Sequence, residues 1–164
     1  HFGDDDHPLF WFSTDSSLAV RTKENEDNVI PAANSQMARN LYELGLLFGK
    51  PEWMERSREM LSLVVEGLER YPEGYSNWAV LLRQWTTPHY ELAIVGPDAQ
   101  EAYRDFARSP LANVLPIWSE TPSELPIFRS RWVKGKTLFY LCENGACQMP
   151  VERLEEVREL LKAD

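Results

Sequence analysis

The first half of the chain places apolar residues at the spacing of α-helices. From Asn34 to Phe48, apolar side chains recur three or four residues apart, so they fall on one side of a helix. That side is formed by Met37, Leu41, Leu44 and Phe48, and is widened by Ala38, Tyr42 and Gly45. The same spacing predicts a second helix over 51–70 and a third from Tyr75 to the residues before Pro88.

Short connections join these helices. Gly49 follows the first helix and Pro51 opens the second, which are the positions where glycine and proline are favoured. A connection this short allows only an antiparallel αα-hairpin. Gly67 lies inside the second helix, at a cost of about 1 kcal/mol relative to alanine, which predicts close packing at that position.

From residue 90 the pattern changes to short apolar runs, typical of strands that are buried on both faces. We predict strands over 92–95, 113–118 and 137–142, a helix after Asp98, and a last helix from Pro150. Because a helix separates the first two strands, we predict a largely parallel sheet. The predicted organisation is a helical part, residues 1–89, followed by a small three-stranded α/β unit, residues 90–164.

The first 22 residues lack helical spacing. Two apolar runs, 9–12 and 18–21, flank a polar segment over 13–17, which predicts a short hairpin or extended arms with the polar segment as the turn. The acidic cluster over 4–6 lacks the glycine and the later glutamate of a calcium loop, so we predict a solvated loop there.

Composition limits the classes of partner. The chain has 164 residues and a net charge of -9, which argues against a nucleic acid or an anionic membrane surface as partner. No apolar run approaches the roughly 18 residues of a membrane-spanning helix, and the acidic start is unlike a signal peptide. The sequence begins without Met, and we expect it to come from a longer protein. Two cysteines indicate a reducing, cytoplasmic setting rather than a disulfide scaffold.

Ionisable residues are densest just before the first helix. Glu24 and Asp27 lie in this loop, and paired carboxylates are typical of glycosidic acid/base chemistry. Lys23 can bind an anion, and Asn34 and Ser35 offer donors to a sugar hydroxyl or carboxylate. The alternative is structural: a solvated loop whose acids stabilise the helix dipole, with Asn34 or Ser35 as the helix cap.

Tryptophans offer a second element of a sugar site. The candidates for stacking on a sugar ring are Trp11, Trp53, Trp78 and Trp85. Trp78 and Trp85 lie at helical spacing, which favours packing in the core. Trp11 joins Lys23, Asn34 and Ser35 as a candidate for substrate binding.

Cys142 and Cys147 form a C-x4-C pair around Asn144-Gly145, which indicates a turn at a strand end. Thioredoxin-type motifs instead have two residues between their cysteines. Three interpretations stay open: buried reduced thiols, which we favour, a small disulfide, and part of a metal site. Thiol-redox chemistry at the pair is a further hypothesis. The three histidines are not spaced to complete a metal set, so we predict no metal and no cofactor.

Two segments resemble a known family. KENEDNVIPAANSQMARNLYELGLLFG, residues 23–49, and FYLCENGACQMPV, residues 139–151, are similar to the C-terminal part of the thioredoxin-domain-containing, spermatogenesis-associated protein family. There the first motif reads approximately Lys-Glu, an acidic gap, then Pro-Ser-Gly-Asn-Ser, and here Ala32-Ala33 replaces the Ser-Gly pair. The late motif retains both cysteines. The resemblance covers most of residues 9–160.

The resemblance implies a fold more clearly than an activity. In that family a thioredoxin-like domain precedes a large α/α toroid of the six-hairpin glycosidase type, similar to N-acylglucosamine 2-epimerases. Residues 1–89 would then be the closing αα-hairpin segment of an (α/α)6 toroid, and residues 90–164 its three-stranded α/β appendage. The implied fold class is mainly α with a small α/β part.

Three functions follow as hypotheses. The first is a carbohydrate-active role, glycosidase- or epimerase-like, with a small sugar as substrate and Glu24 and Asp27 as acid/base groups. The second is a non-catalytic scaffold for the upstream thioredoxin-like domain, and the third is thiol-redox chemistry. An isolated toroid segment would expose an apolar inner face, so we also expect self-association or partner contact.

Overall fold

The computed structural model describes residues 1–15, 17 and 19–163. The chain forms two compact units: residues 1–46 with 50–87, and residues 47–49 with 88–164. Each unit contains a hydrophobic core of its own. Within the described part of the chain, no helix combines the length and the apolar character needed to cross a membrane.

The first half of the chain is helical. Its elements are α1 (Ala33–Phe48), α2 (Pro51–Ser62), α3 (Val65–Arg70), a 3-10 turn (Pro72–Tyr75) and α4 (Ser76–Thr86). Ala38 of α1, Met60 of α2 and Trp78 of α4 are completely buried in one core. The first and third predicted helices are confirmed, whereas the second is divided in two.

The division of the second helix falls at Leu63 and Val64. The Val64 N–H donates to the Leu61 carbonyl oxygen at 3.1 Å, which is a three-residue step rather than the four-residue step of an α-helix. Two consecutive β-branched residues, Val64 and Val65, weaken the helix here. The break places Val64 in the core, where it is 2% exposed.

The core-facing side of α1 is rotated from the predicted side. Three residues at the margin of the predicted side are buried: Ala38, Tyr42 and Gly45. Met37 and Leu44, at the centre of the predicted side, are 38% and 41% exposed. Tyr42 fixes this orientation, because its hydroxyl donates to the Gln84 carbonyl oxygen at 3.1 Å and its ring lies edge-on to Trp85.

Gly67 of α3 lies against the ring of Tyr75. A β-carbon at Gly67 would stand 2.6 Å from the nearest ring atom of Tyr75, far inside van der Waals contact. The close packing predicted for this glycine is therefore confirmed.

The second unit contains a four-stranded sheet with the strand order β2-β1-β3-β4. Its elements are β1 (Tyr90–Val95), α5 (Ala99–Ala107), β2 (Val114–Ser119), β3 (Leu138–Glu143), β4 (Ala146–Cys147) and α6 (Leu154–Ala163). Strand β1 pairs parallel with β2 and antiparallel with β3, and β3 pairs antiparallel with β4. The sheet is therefore mixed.

Strand β1 is buried along its whole length, as its apolar run predicts. One face of the sheet packs against α5 and α6 through residues such as Phe106 and Val157. Ile127 and Phe128, from the connection between β2 and β3, cover the other face.

The predicted fold class is wrong. Instead of hairpins of an α/α toroid with a three-stranded, largely parallel appendage, the described residues form six α-helices and one mixed four-stranded sheet. A parallel neighbour needs a crossover connection, which α5 provides between β1 and β2. Residues 120–137, all described, contain no helix, and β3 returns antiparallel. Strand β4 has only two residues, too few to show a strand pattern.

The described part of the N-terminal segment contains no helix, and residues 4–7 form a turn with an antiparallel bridge between Asp4 and His7. The hairpin or extended arms expected for residues 1–22 stay a prediction. The Trp11 N–H donates to the Phe2 carbonyl oxygen and the Phe12 N–H donates to the Thr22 carbonyl oxygen, both at 2.8 Å. The polar turn and second apolar run predicted over 13–21 include residues 16 and 18, which lie outside the described residues.

The exposed apolar side of α1 provides a test of the predicted self-association. Met37 and Leu44 lie two helical turns apart on the same side. We expect the Met37→Ser/Leu44→Ser variant to be monomeric at concentrations where the wild type associates, because the variant removes exposed apolar area. Light scattering after size-exclusion chromatography measures the mass. Val29→Ser, which changes a loop residue that is 96% exposed, is the control, and a wild type that stays monomeric contradicts the expectation.

Candidate functional site

The loop of residues 23–32 is anchored by Asn34, which is 1% exposed. Its Oδ1 accepts from the Phe10 N–H at 2.7 Å, and its Nδ2 donates to the carbonyl oxygens of Phe10 at 2.9 Å and Glu24 at 2.8 Å. Both amide N–H groups are therefore used within the protein. Asn34 holds the loop against the N-terminal segment.

Asp27 is the second anchor, and its carboxylate is buried. It accepts hydrogen bonds from the Ala32 N–H at 3.0 Å, the Ser35 hydroxyl at 2.6 Å and the Asn77 N–H at 2.8 Å. Ser35 lies in the first turn of α1, and Asn77 in the first turn of α4, which has no side-chain cap at its own N-cap residue. One carboxylate thus stabilises the starts of two helices.

Two further hydrogen bonds fix the loop backbone. The indole N–H of Trp78 donates to the Asn25 carbonyl oxygen at 2.7 Å, and the Asp27 N–H donates to the Gly74 carbonyl oxygen at 2.7 Å. Trp78 itself is completely buried, so the core packing predicted for it is confirmed. The loop is consequently a rigid platform for the side chains that it carries.

These side chains line a cleft of about 760 Å³, which we call the acidic cleft. Its lining residues are Phe12, Thr22, Glu24, Asn25, Glu26, Asp27, Asn28, Val29, Tyr71 and Glu73. Four of these lining residues are acidic and none is basic. Phe12 and Tyr71 are both more than half exposed and provide aromatic surface. Among the described residues, no group of three or more His, Cys, Asp and Glu side chains is arranged to hold a metal ion.

Tyr75 supports the cleft through Glu26. Its hydroxyl lies 3.5 Å from Glu26 Oε1, the upper limit of a hydrogen bond. Burial raises the pKa of Tyr75 above its ordinary value, and the charges of Glu26 and Asp27 raise it further. The phenol therefore stays protonated at neutral pH and donates to Glu26.

The four residues predicted to bind substrate do not line the cleft. Asn34 and Ser35 are buried in the contacts that hold the loop. Lys23 Nζ pairs with Asp4 Oδ2 at 2.6 Å, a hydrogen bond that lowers the pKa of Asp4, and lies 4.1 Å from the ring centroid of Trp11. Substrate binding by these residues stays a prediction, whereas Glu24 and Asp27 are brought together in the cleft.

Of the residues that line the cleft, the sequence predicted only Glu24 and Asp27 as site residues, and it missed Glu26, Tyr71 and Glu73 among the others. Glu24 and Glu26 are two residues apart, and side chains at this spacing in an extended backbone point to the same side. This spacing was the sequence signal that Glu26 could join Glu24 in the cleft. Tyr71 and Glu73 follow α3, more than 40 residues later in the chain, and no local pattern links them to the loop. The packing of α4 and its preceding turn brings them to the cleft.

The two cysteines form a disulfide between β3 and β4. Cys142 and Cys147 are register partners with Cα atoms 3.9 Å apart. Asn144 and Gly145 both have positive φ, as a two-residue hairpin turn requires, so the predicted turn is confirmed. The interpretation that we favoured from the sequence, buried reduced thiols, is wrong. The alternative of a small disulfide is the one that occurs in the structure.

The fold and these sites define a class of chain in which a helical unit with an acidic cleft precedes a mixed α/β unit with a hairpin disulfide. The chain is 29% identical over 157 residues to spermatogenesis-associated protein 20 of Mus musculus, and 25% identical over 157 residues to that of Homo sapiens. Each similarity covers 89% of this chain and 20% of the relative. An uncharacterised protein of Caenorhabditis elegans is 27% identical over 156 residues, covering 90% and 21%. No protein-family model matches the sequence.

These similarities support the family resemblance seen in the sequence, and each covers about nine tenths of the chain. The chain spans about a fifth of the length of the curated relatives it matches. Most of each relative therefore lies outside the region of similarity.

Proposed function

We propose that the acidic cleft binds a small sugar and that the protein acts on it by proton transfer, in a glycosidase- or epimerase-like reaction. The observation that carries this proposal is the combination of several carboxylates on an anchored loop and exposed aromatic surface in one cleft. Carboxylate oxygens accept hydrogen bonds from sugar hydroxyls, and aromatic rings offer apolar surface to the C–H face of a sugar ring. The volume is within the range of small-molecule sites.

The charge of the cleft selects among sugars. Four acidic lining residues without a basic one repel sugar acids and sugar phosphates and attract neutral or amino sugars. We therefore propose that glucosamine binds more tightly than glucose, and glucose more tightly than glucuronate.

Glu24 is the proposed proton-transfer residue. Its side chain is exposed and lines the cleft, while its carbonyl oxygen is held by Asn34. The backbone is thus fixed and the carboxylate can approach a ligand. Asp27 already accepts three hydrogen bonds, which supports a positioning role, and its catalytic role stays a prediction.

Replacing Glu24 with glutamine tests the proposal. We expect glucosamine to bind roughly 10- to 100-fold more weakly, because a hydrogen bond to a charged group contributes about 1.5–3 kcal/mol. We also expect conversion of the bound sugar, followed by NMR, to be lost. Titration calorimetry measures the affinity.

The matched control is Glu69→Gln, which changes an exposed carboxylate of α3 that does not line the cleft. It should leave affinity and conversion unchanged. Equal affinities of the wild type and Glu24→Gln, or tighter binding of glucuronate than of glucosamine, contradict the proposal.

A further inference from the structure

One carboxyl group is buried in the middle of the sheet. Glu91 lies in β1 and is 1% exposed. Among the described residues, none donates a hydrogen bond of ordinary geometry to either of its carboxylate oxygens, although the backbone N–H of Gly145 lies close enough to favour the charged form. A buried polar group without a partner costs stability, and such a group in a protein is a candidate for function.

Glu91 lies directly opposite the disulfide. It is the antiparallel register partner of Cys142, and opposed residues of antiparallel strands project from the same face with β-carbons about 4.5–5.5 Å apart. Cys142 is 1% exposed, whereas Cys147 is exposed. The disulfide therefore joins an exposed residue to a buried one, and the buried one is the register partner of Glu91.

Arg131 contacts both sulfurs. Its Nη2 lies 2.8 Å from Cys147 Sγ and its Nη1 lies 3.5 Å from Cys142 Sγ. Tyr140 holds the arginine in place, since its hydroxyl donates to the Arg131 carbonyl oxygen at 2.9 Å. A guanidinium beside sulfur favours the thiolate over the thiol.

The charges around Glu91 come from two elements. Burial raises the pKa of Glu91, and the charge of Glu143 on β3 adds to the rise. The charge of Arg131, in the connection before β3, opposes it, together with the backbone N–H groups of Gly145 and of Glu91 itself. Burial is the largest of these influences, so the group binds its proton more tightly than an exposed glutamate does.

We propose that Cys142–Cys147 is a thiol–disulfide exchange site, in which Cys147 is attacked, Arg131 stabilises thiolate and Glu91 supplies the proton to Cys142. This inference is independent of the sugar cleft. The co-reactant is a dithiol. Exposure selects the attacked sulfur, because an attacking thiolate must reach it in line with the sulfur–sulfur bond.

The exchange proceeds in two displacements. A thiolate of the dithiol attacks Cys147 Sγ, the Cys142–Cys147 bond breaks, and Cys142 leaves with the electron pair as a thiolate. Glu91 gives its proton to that thiolate, and Arg131 neutralises the resulting carboxylate. The second thiolate of the dithiol then attacks the mixed disulfide and releases a cyclic disulfide, leaving the Cys147 thiolate beside Arg131. Two electrons pass from the dithiol, which is oxidised, to the protein disulfide, which is reduced.

Reduction of the folded protein by dithiothreitol tests the site, with alkylation and mass spectrometry as the readout. We expect reduction without denaturant, and about 100-fold slower reduction of Glu91→Gln at a pH below the Glu91 pKa, the lower end of what a positioned general acid contributes. Arg131→Gln should also be slower, and Arg131→Lys should recover part of the rate. The controls Glu101→Gln and Arg129→Gln change exposed residues and should match the wild type. Circular dichroism verifies that each variant is folded.

The pH profile separates proton transfer from a structural role. The ratio of the wild-type rate to the Glu91→Gln rate should be largest below the Glu91 pKa, where the group is protonated, and should approach one above it. If Glu91→Gln does not fold, the reduction rate of the folded wild type is compared instead with that of the wild type unfolded in urea. A disulfide reduced only in denaturant, or a ratio that does not change with pH, overturns the proposal.

The order of attack has its own readout. In the Cys142→Ser variant, Cys147 should form a mixed disulfide with oxidised glutathione in the folded protein. In the Cys147→Ser variant, the buried Cys142 should not. Equal modification of both variants overturns the assignment of Cys147 as the attacked sulfur.

Discussion

Replacing Asp27 with alanine is expected to lower the free energy of unfolding of the first unit by about 3–5 kcal/mol. The carboxylate accepts three hydrogen bonds from Ala32, Ser35 and Asn77. The net contribution of a hydrogen bond to a charged group is about 1.5–3 kcal/mol, and contributions to one shared carboxylate do not simply add. The loss reaches two helices at once, because Ser35 lies in the first turn of α1 and Asn77 in the first turn of α4. Urea denaturation followed by circular dichroism measures the change.

Two variants show whether the loss comes from these contacts. Asp27→Asn retains one acceptor oxygen and should lose less than Asp27→Ala. Asp5→Ala removes an exposed carboxylate and should leave stability unchanged. A loss below about 1 kcal/mol for Asp27→Ala, the average value of a single hydrogen bond, would mean that the carboxylate does not anchor both helices.

Replacing Trp78 with alanine is also expected to lower the free energy of unfolding by about 3–5 kcal/mol. This loss is typical for removing a large buried aromatic side chain. Trp78 is completely buried among residues of three helices. Its indole N–H also fixes the Asn25 carbonyl oxygen, so we expect the variant to lose order in the acidic cleft as well as stability. Urea denaturation measures the loss of stability, and the affinity for glucosamine reports the loss of order in the acidic cleft.

Trp78→Phe separates the two contributions of the tryptophan. Phenylalanine retains most of the apolar packing but has no N–H to donate to Asn25. We expect Trp78→Phe to lose less stability than Trp78→Ala. We also expect it to bind glucosamine more weakly than the wild type, because the hydrogen bond from the indole N–H to Asn25 positions the loop that lines the cleft. If affinity falls only in proportion to stability, the anchor has no separate effect on the cleft.

The sequence predicted the elements that depend on local chemistry. The start of α1 near Asn34, the Gly49 and Pro51 boundary and the Asn144-Gly145 turn follow from backbone preferences of neighbouring residues, and all three occur in the structure. The buried strand β1 follows from its unbroken apolar run. These features need no information about distant parts of the chain.

Features that depend on tertiary contacts were not predicted. The pattern could not select the core-facing side of α1, because two adjacent sides are apolar and a contact with Gln84, 42 residues later, decides between them. The direction of β3 depends on how residues 120–137 cross the sheet. The fold class was therefore wrong although most individual helices and strands were right.

The candidate site shows the same division. Asp27 was recognised as part of an acidic loop, but its role at the start of α4 depends on Asn77, 50 residues away. Glu91 carried a signal that was overlooked: a charged residue in an apolar strand run is costly unless it has a purpose. Arg131 carried none, since its contact with the sulfurs arises from the path of a long connection.

The location of bound sugar tests the central proposal most directly. Two-dimensional ¹⁵N–¹H NMR of the labelled protein, titrated with glucosamine, reports which backbone amides sense the ligand. The proposal predicts saturable shifts at residues 24–29, Tyr71 and Glu73, which line the acidic cleft, and much smaller shifts in Glu24→Gln. Saturating shifts confined to other parts of the chain, or no shift at these residues at high glucosamine concentration, would contradict it.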